Sequence, residues 1–117
     1  MTTYLLNSPV LTAYGEYSFS GPLMSDEARD LLAGGFISAI GHATAAEFLA
    51  QLLGINVSLN RVAIEMHPGD RAVVLRLKQR LPENRTLSFD EVQSFPSELG
   101  LLVMREPSEI TAIPRPS

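Results

Sequence analysis

The sequence predicts a single α/β domain, on two observations: period-two apolar runs that read as strands, and capped apolar runs at helical spacing that lie between them. A length of 117 residues with 45% hydrophobic content suits one ordinary core. Thr3 to Leu6 reads as the first strand, ended by Asn7-Ser8-Pro9, because the residue before a proline is pushed out of helical geometry. Residues 10–24 carry Tyr14, Tyr17 and Phe19 among Gly15, Gly21 and Pro22, which fits a loop with a short strand and equally a flexible flap. Ser25-Asp26-Glu27 supplies an N-cap and early acids for a helix through Leu32, and Gly34-Gly35 ends it. Residues 36–40 lead into the stretch around which the chain is organised.

That stretch is Ser38-Ala39-Ile40-Gly41-His42-Ala43-Thr44-Ala45-Ala46-Glu47. Thr44 and Glu47 fit a capping box, and Phe48, Leu49, Leu52 and Leu53 recur at helical spacing, so the pattern predicts a helix from near Thr44 to Gly54. His42 then sits at the helix mouth. Unpaired backbone N–H groups and the positive end of the helix dipole collect there, which suits a phosphate and disfavours an unliganded histidine cation. A neutral imidazole that gains a proton as an anion arrives is a usable general acid, and the other reading is a histidine that closes a loop.

Residues 60–66 and 71–80 both alternate with period two, and His67-Pro68-Gly69-Asp70 between them holds turn residues, which predicts a β-hairpin. Closure at His67 and Asp70 sets Val62 opposite Leu75, Ile64 opposite Val73 and Arg61 opposite Arg76. Arg76, Lys78 and Arg80 then share one face at intervals of about 6.6 Å, and like charges facing one another call for an anion between them. Residues 81–85 read as a loop, Ser88-Phe89-Asp90-Glu91 as a second capping box that opens a short helix, and residues 99–105 as a last strand. Pro107, Pro114 and Pro116 predict a loose tail over residues 107–117, which leaves the domain in residues 1–106.

Composition narrows the function. The net charge of −4 disfavours a binder of long nucleic acid, which needs many cations to displace counterions. Residues 61–85 nonetheless hold six basic against three acidic residues, so a small cationic site on an acidic body suits a compact anionic ligand. With no cysteine and one credible histidine, a metal centre and a thiol nucleophile are unsupported, and no Gly-x-Ser-x-Gly elbow is present. The absence of a long apolar run predicts no membrane partner and a cytoplasmic protein. Asn7, Ser8 and Ser38 are candidate phosphate or ribose contacts, or simply turn and cap residues; His67 is a turn residue.

The run Ser38-Ala39-Ile40-Gly41-His42, followed by Asn60-Arg61-Val62 and by Gln79-Arg80-Leu81 with Glu83, closely resembles the viral anti-CRISPR ring nucleases of type III systems and their cellular relatives. The likeness covers roughly residues 36–92, with Asn7 and the first strand fitting more loosely. It implies a homodimer whose mixed sheet of about five strands is flanked by helices. It also implies cyclic tetra-adenylate as ligand, cut without a metal or other cofactor into linear di-adenylates that end in a 2′,3′-cyclic phosphate. Carried over residue by residue, His42 is the catalytic acid, Arg80 and Arg61 hold phosphate, and Glu83 is a polar partner in catalysis. Asn7, Ser8, Ser38, Gly41 and Arg76 are the remaining ligand-binding candidates, and Arg76 stands where a family member carries glutamine. In the host cytoplasm, if the chain is viral, such an enzyme switches off a second messenger. A protein that sequesters or senses the same messenger without cutting it is the alternative.

Overall fold

A computed structural model describes residues 1–8, 13–82 and 87–105. Five strands and three helices follow in the order β1 (Thr3–Leu6), β2 (Tyr17–Ser20), α1 (Ser25–Leu32), β3 (Ile37–Ser38), α2 (Ala43–Leu53), β4 (Arg71–Leu77), α3 (Phe89–Ser94) and β5 (Ser97–Met104). They form one mixed sheet in the order β2-β5-β4-β1-β3, in which β1 pairs parallel with β3 and β4, while β5 runs antiparallel to β4 and β2. The strands expected at residues 3–6 and near the C-terminus are therefore present, as are all three helices.

Alternation along the strands separates two cores. Leu5, Val73, Leu75 and Leu99 meet the helices through Ala28, Leu32, Phe48, Leu49, Leu53 and Val92. Tyr4, Leu6, Ala72, Val74, Leu102 and Met104 cover the other face, where Met66 and Ile64 pack over them. Fully burying a leucine or valine contributes about 1.5–3 kcal/mol, so Leu5, Leu49, Leu53, Val73 and Leu75, all essentially inaccessible, dominate the helical face.

The expected hairpin is not formed. Residues 60–66 belong to no strand, and β4 instead lies between β1 and β5, with Leu5 opposite Val73 on one side and Leu101 opposite Val73 on the other. The proposed pairs of Val62 with Leu75, Ile64 with Val73 and Arg61 with Arg76 are absent. The physical reason lies in β4 itself: Ala72, Val73, Val74 and Leu75 are all buried, as a central strand covered on both faces requires, whereas the hairpin would have left Ala72 and Val74 in solvent. The alternation in residues 60–66 has another origin. Ile55 and Val57 pack against the helical face and Ile64 and Met66 against the opposite one, with Leu59 and Val62 exposed between them, so the segment wraps past the edge strand β3. A parallel bridge of Ile40 with Leu59 marks the passage.

The turn ahead of β4 is real, although it feeds a central strand. The Asp70 N–H donates to the His67 carbonyl at 2.9 Å, and the buried Asp70 carboxylate accepts the Thr2 and His67 N–H groups at 2.8 and 2.9 Å. Gly69, at φ 92°, is the residue type that adopts this conformation without strain. At the helix ends, Gly54 is the left-handed C-cap expected and Ser88 with Glu91 forms the expected capping box. Two N-termini differ. Helix α1 is capped from Met24, whose N–H donates to Glu27 at 2.9 Å, and α2 from His42, so Thr44 and Glu47 lie within the first turns of α2 and no side chain caps it. The predicted tail, most of the 81–85 loop and Glu83 lie outside the described residues.

Candidate functional site

Three chain segments leave the sheet at the carboxyl ends of parallel strands. Asn7 follows β1, Gly41 and His42 follow β3, and Lys78, Gln79 and Arg80 follow β4. Because β1 sits between β3 and β4, these exits surround one position, which is where open α/β sheets bind ligands. An open cleft of about 550 Å³ occupies it, lined by Asn7, His42, Thr44, Ala45, Leu77, Lys78, Gln79, Arg80 and Leu81.

The N-terminus of α2 opens onto this cleft. His42 is its N-cap in extended conformation, makes no side-chain cap hydrogen bond, and its carbonyl accepts the Ala46 N–H at 3.0 Å, while Thr44 and Ala45 line the cleft wall. The backbone therefore offers unfilled donors and a positive dipole end to an anion. Arg80 and Lys78, both exposed, add positive charge to the cleft lining. Among the described residues, neither His42 nor Arg80 has a side-chain hydrogen bond or ion pair.

Arg61 comes from the wrapping segment. Its Nε donates to the Gly41 carbonyl at 2.8 Å, which holds the guanidinium one residue from His42. The arrangement depends on a clip formed by Ser38 and Asn60: the buried Ser38 hydroxyl donates to the Ser58 carbonyl at 2.6 Å, the Asn60 side-chain amide donates to the Ser38 carbonyl at 2.7 Å, and the Asn60 N–H donates to the Ile40 carbonyl at 2.8 Å. Ser38 is thus engaged in joining β3 to the segment that carries Arg61, and does not line the cleft. Gly41 contributes its carbonyl. A Cβ there would meet the Arg61 side chain at 3.5 Å, an ordinary contact, so space alone does not demand glycine.

Of the other expected residues, Asn7 lines the cleft, and Ser8 is exposed beyond it. Arg76 is set apart: it pairs across the strands with Glu98 and lines a separate cavity of about 160 Å³ with Phe19 and Gly100. The residue that the hairpin reading underweighted is Lys78. Its signal is the alternating row of cations, which does not meet one anion as a whole: Lys78 and Arg80 line the cleft and Arg76 does not. Among the described residues, no three histidine or acidic side chains converge as a metal site, and no helix is long and apolar enough to cross a membrane.

Fold and site together define a small α/β protein with a mixed sheet and a cationic cleft at the carboxyl ends of its parallel strands. The sequence profile of the STIV B116-like family matches residues 3–99, and the chain belongs to that family. It is 34% identical over 92 residues to protein 26 of Sulfolobus islandicus filamentous virus, covering 75% of this chain and 78% of that protein. It is 32% identical over 105 residues to YddF of Bacillus subtilis, covering 87% and 96%. A shorter match, 44% identical over 52 residues, joins it to ORF117 of Acidianus two-tailed virus and spans 44% of each chain. Its fold is that of B116 of Sulfolobus turreted icosahedral virus, with a TM-score of 0.74 at 24% identity over 88% of this chain and 99% of that one.

Proposed function

We propose that the protein is a metal-independent ring nuclease that binds cyclic tetra-adenylate across a homodimer and cuts it into linear di-adenylates ending in a 2′,3′-cyclic phosphate. The observation that carries the reading is His42 at the mouth of α2, in one cleft with Arg80 and with Arg61 tethered beside it. An intramolecular phosphoryl transfer needs little more. The ring's 2′-hydroxyl attacks the adjacent phosphorus, forming the new P–O bond as the bond to the 5′-oxygen breaks; its proton passes to water, and His42 gives a proton to the departing 5′-oxygen. Arg80 and Arg61 offset the charge that gathers on the phosphoryl oxygens, and the N–H groups of α2 add to it. Relatives in archaeal viruses and in a bacterium suit a device that acts in the cytoplasm against, or in restraint of, type III CRISPR signalling.

The test is incubation with labelled cyclic tetra-adenylate in excess EDTA. Linear tetranucleotide appearing first and giving way to dinucleotide with a cyclic phosphate is the expected result. Ligand bound and returned intact would replace the enzyme with a sequestering protein, and a requirement for a divalent metal would overturn the proton-transfer scheme.

A further inference from the structure

Glu98 lines the cavity beside the cleft and reaches the cleft's lining through Lys78. It stands opposite Arg76 in the β4–β5 ladder, and its Oε1 is 3.9 Å from the Arg76 guanidinium and 3.5 Å from the Lys78 ammonium. Lys78 at the same time lines the cleft with His42 and Arg80. The two cations are 57% and 59% exposed and the carboxylate 28%, so the long side chains can swing away while Glu98 stays seated on its strand. Exposed pairs of this kind are weak, and a ligand that brings several negative charges into the cleft can outcompete one for a lysine.

We infer that Glu98 is an affinity-setting residue, an internal counter-anion that holds Lys78 when the cleft is empty, yields it to a ligand phosphate, and takes it back as product leaves. The inference rests on the reading that the cleft binds a phosphodiester. Its physical content is a competition: every phosphate contact that Lys78 makes is made at the expense of its pair with Glu98. Removing the carboxylate's charge therefore strengthens anion binding, and does so through Lys78. A residue that only braced the sheet would do neither.

The test is a cycle of equilibrium binding with wild type, Glu98→Gln, Lys78→Met and the double variant, using cyclic tetra-adenylate and inorganic pyrophosphate as separate probes over a range of salt. Glu98→Gln is expected to bind both probes about threefold to tenfold more tightly at low salt, with a steeper salt dependence, and Lys78→Met is expected to erase most of the gain. Glu98→Asp, which keeps the charge but withdraws it by one methylene, should fall between and serves if Glu98→Gln folds poorly. Unchanged or weaker binding in Glu98→Gln, an equal gain in the Lys78→Met background, or no binding of either probe by wild type would overturn the inference. Pyrophosphate binding that follows the expected pattern while cyclic tetra-adenylate does not bind would retain Glu98 in this role and dismiss the nuclease.

Discussion

Replacing Ser38 by alanine separates a ligand contact from a structural clip. The hydroxyl, in a residue only 8% exposed, donates to the Ser58 carbonyl at 2.6 Å and accepts the Ile40 N–H at 3.4 Å. The first bond contributes about 0.5–1.5 kcal/mol net, and a buried donor left without an acceptor costs about 1–3 kcal/mol, although the long Ile40 contact places the second effect at its low end. The loss expected is therefore about 1–3 kcal/mol. At this chain length each kcal/mol lowers Tm by about 4 °C, so thermal unfolding followed by circular dichroism should show a fall of about 4–12 °C. Cleavage should fall as well, because the segment freed from Ser38 is the one that sets Arg61 beside Gly41, and small misplacements of a charge-stabilising group are costly. An unchanged Tm together with weakened ligand binding would refute the clip and return Ser38 to the ligand.

Three further outcomes follow from the same geometry. His42→Ala should lower single-turnover cleavage by about 10²–10⁴-fold while binding of cyclic tetra-adenylate stays within a few-fold, and cleavage within a few-fold of wild type would remove His42 as the acid. Arg80→Ala and Arg61→Ala should both slow cleavage with partial rescue by lysine, and Arg61→Lys should recover less because only a guanidinium Nε reproduces the bond to Gly41; full rescue at either position would show that point charge suffices. Burial raises the Asp70 pKa, but the N–H groups of His67 and Thr2 and the nearby positive charges outweigh it, so the folded value lies below the ordinary carboxylate range. Asp70 thus stabilises the fold above its unfolded pKa, and that stability is lost as pH falls through the folded pKa: the Tm difference between wild type and Asp70→Asn should be full near neutrality and shrink on acidification, and a constant difference would contradict it.

What could be read from the sequence followed the range of the signal. Gly54 ends α2 and Ser88 with Glu91 opens α3 because caps are written within four residues, and Thr3–Leu6 is recognisable because Pro9 punctuates it. The N-cap of α2 is an extended His42, two residues ahead of Thr44, because Thr44 and Glu47 fit a box that the chain does not use. Residues 60–66 misled for a deeper reason. Period-two alternation is read as a strand with one face on a core, but Ile64 and Met66 lay their side chains on the sheet from a segment draped over it, while Val62 stays exposed. Which of the two occurs is settled by whether β4 has a free edge, and it has none, because β1 pairs with it on one side and β5 on the other.

That displacement is what allows the site to exist. In a hairpin, Arg61 would have projected from the sheet opposite Arg76, on the face away from α2. As a wrapping segment clipped to β3, the same residue reaches Gly41 and so joins the N-terminus of α2, while β4, paired with β1, delivers Lys78 and Arg80 to the other side of the same opening. The even spacing of His42, Arg61 and Arg80 along the chain is thus not a periodic element but three separate exits and returns to one end of the sheet. A ligand placed there would meet the N-terminus of α2, Lys78 and Arg80 together, with Arg61 tethered beside them, whereas Arg71 and Arg76 of the same basic stretch are engaged elsewhere.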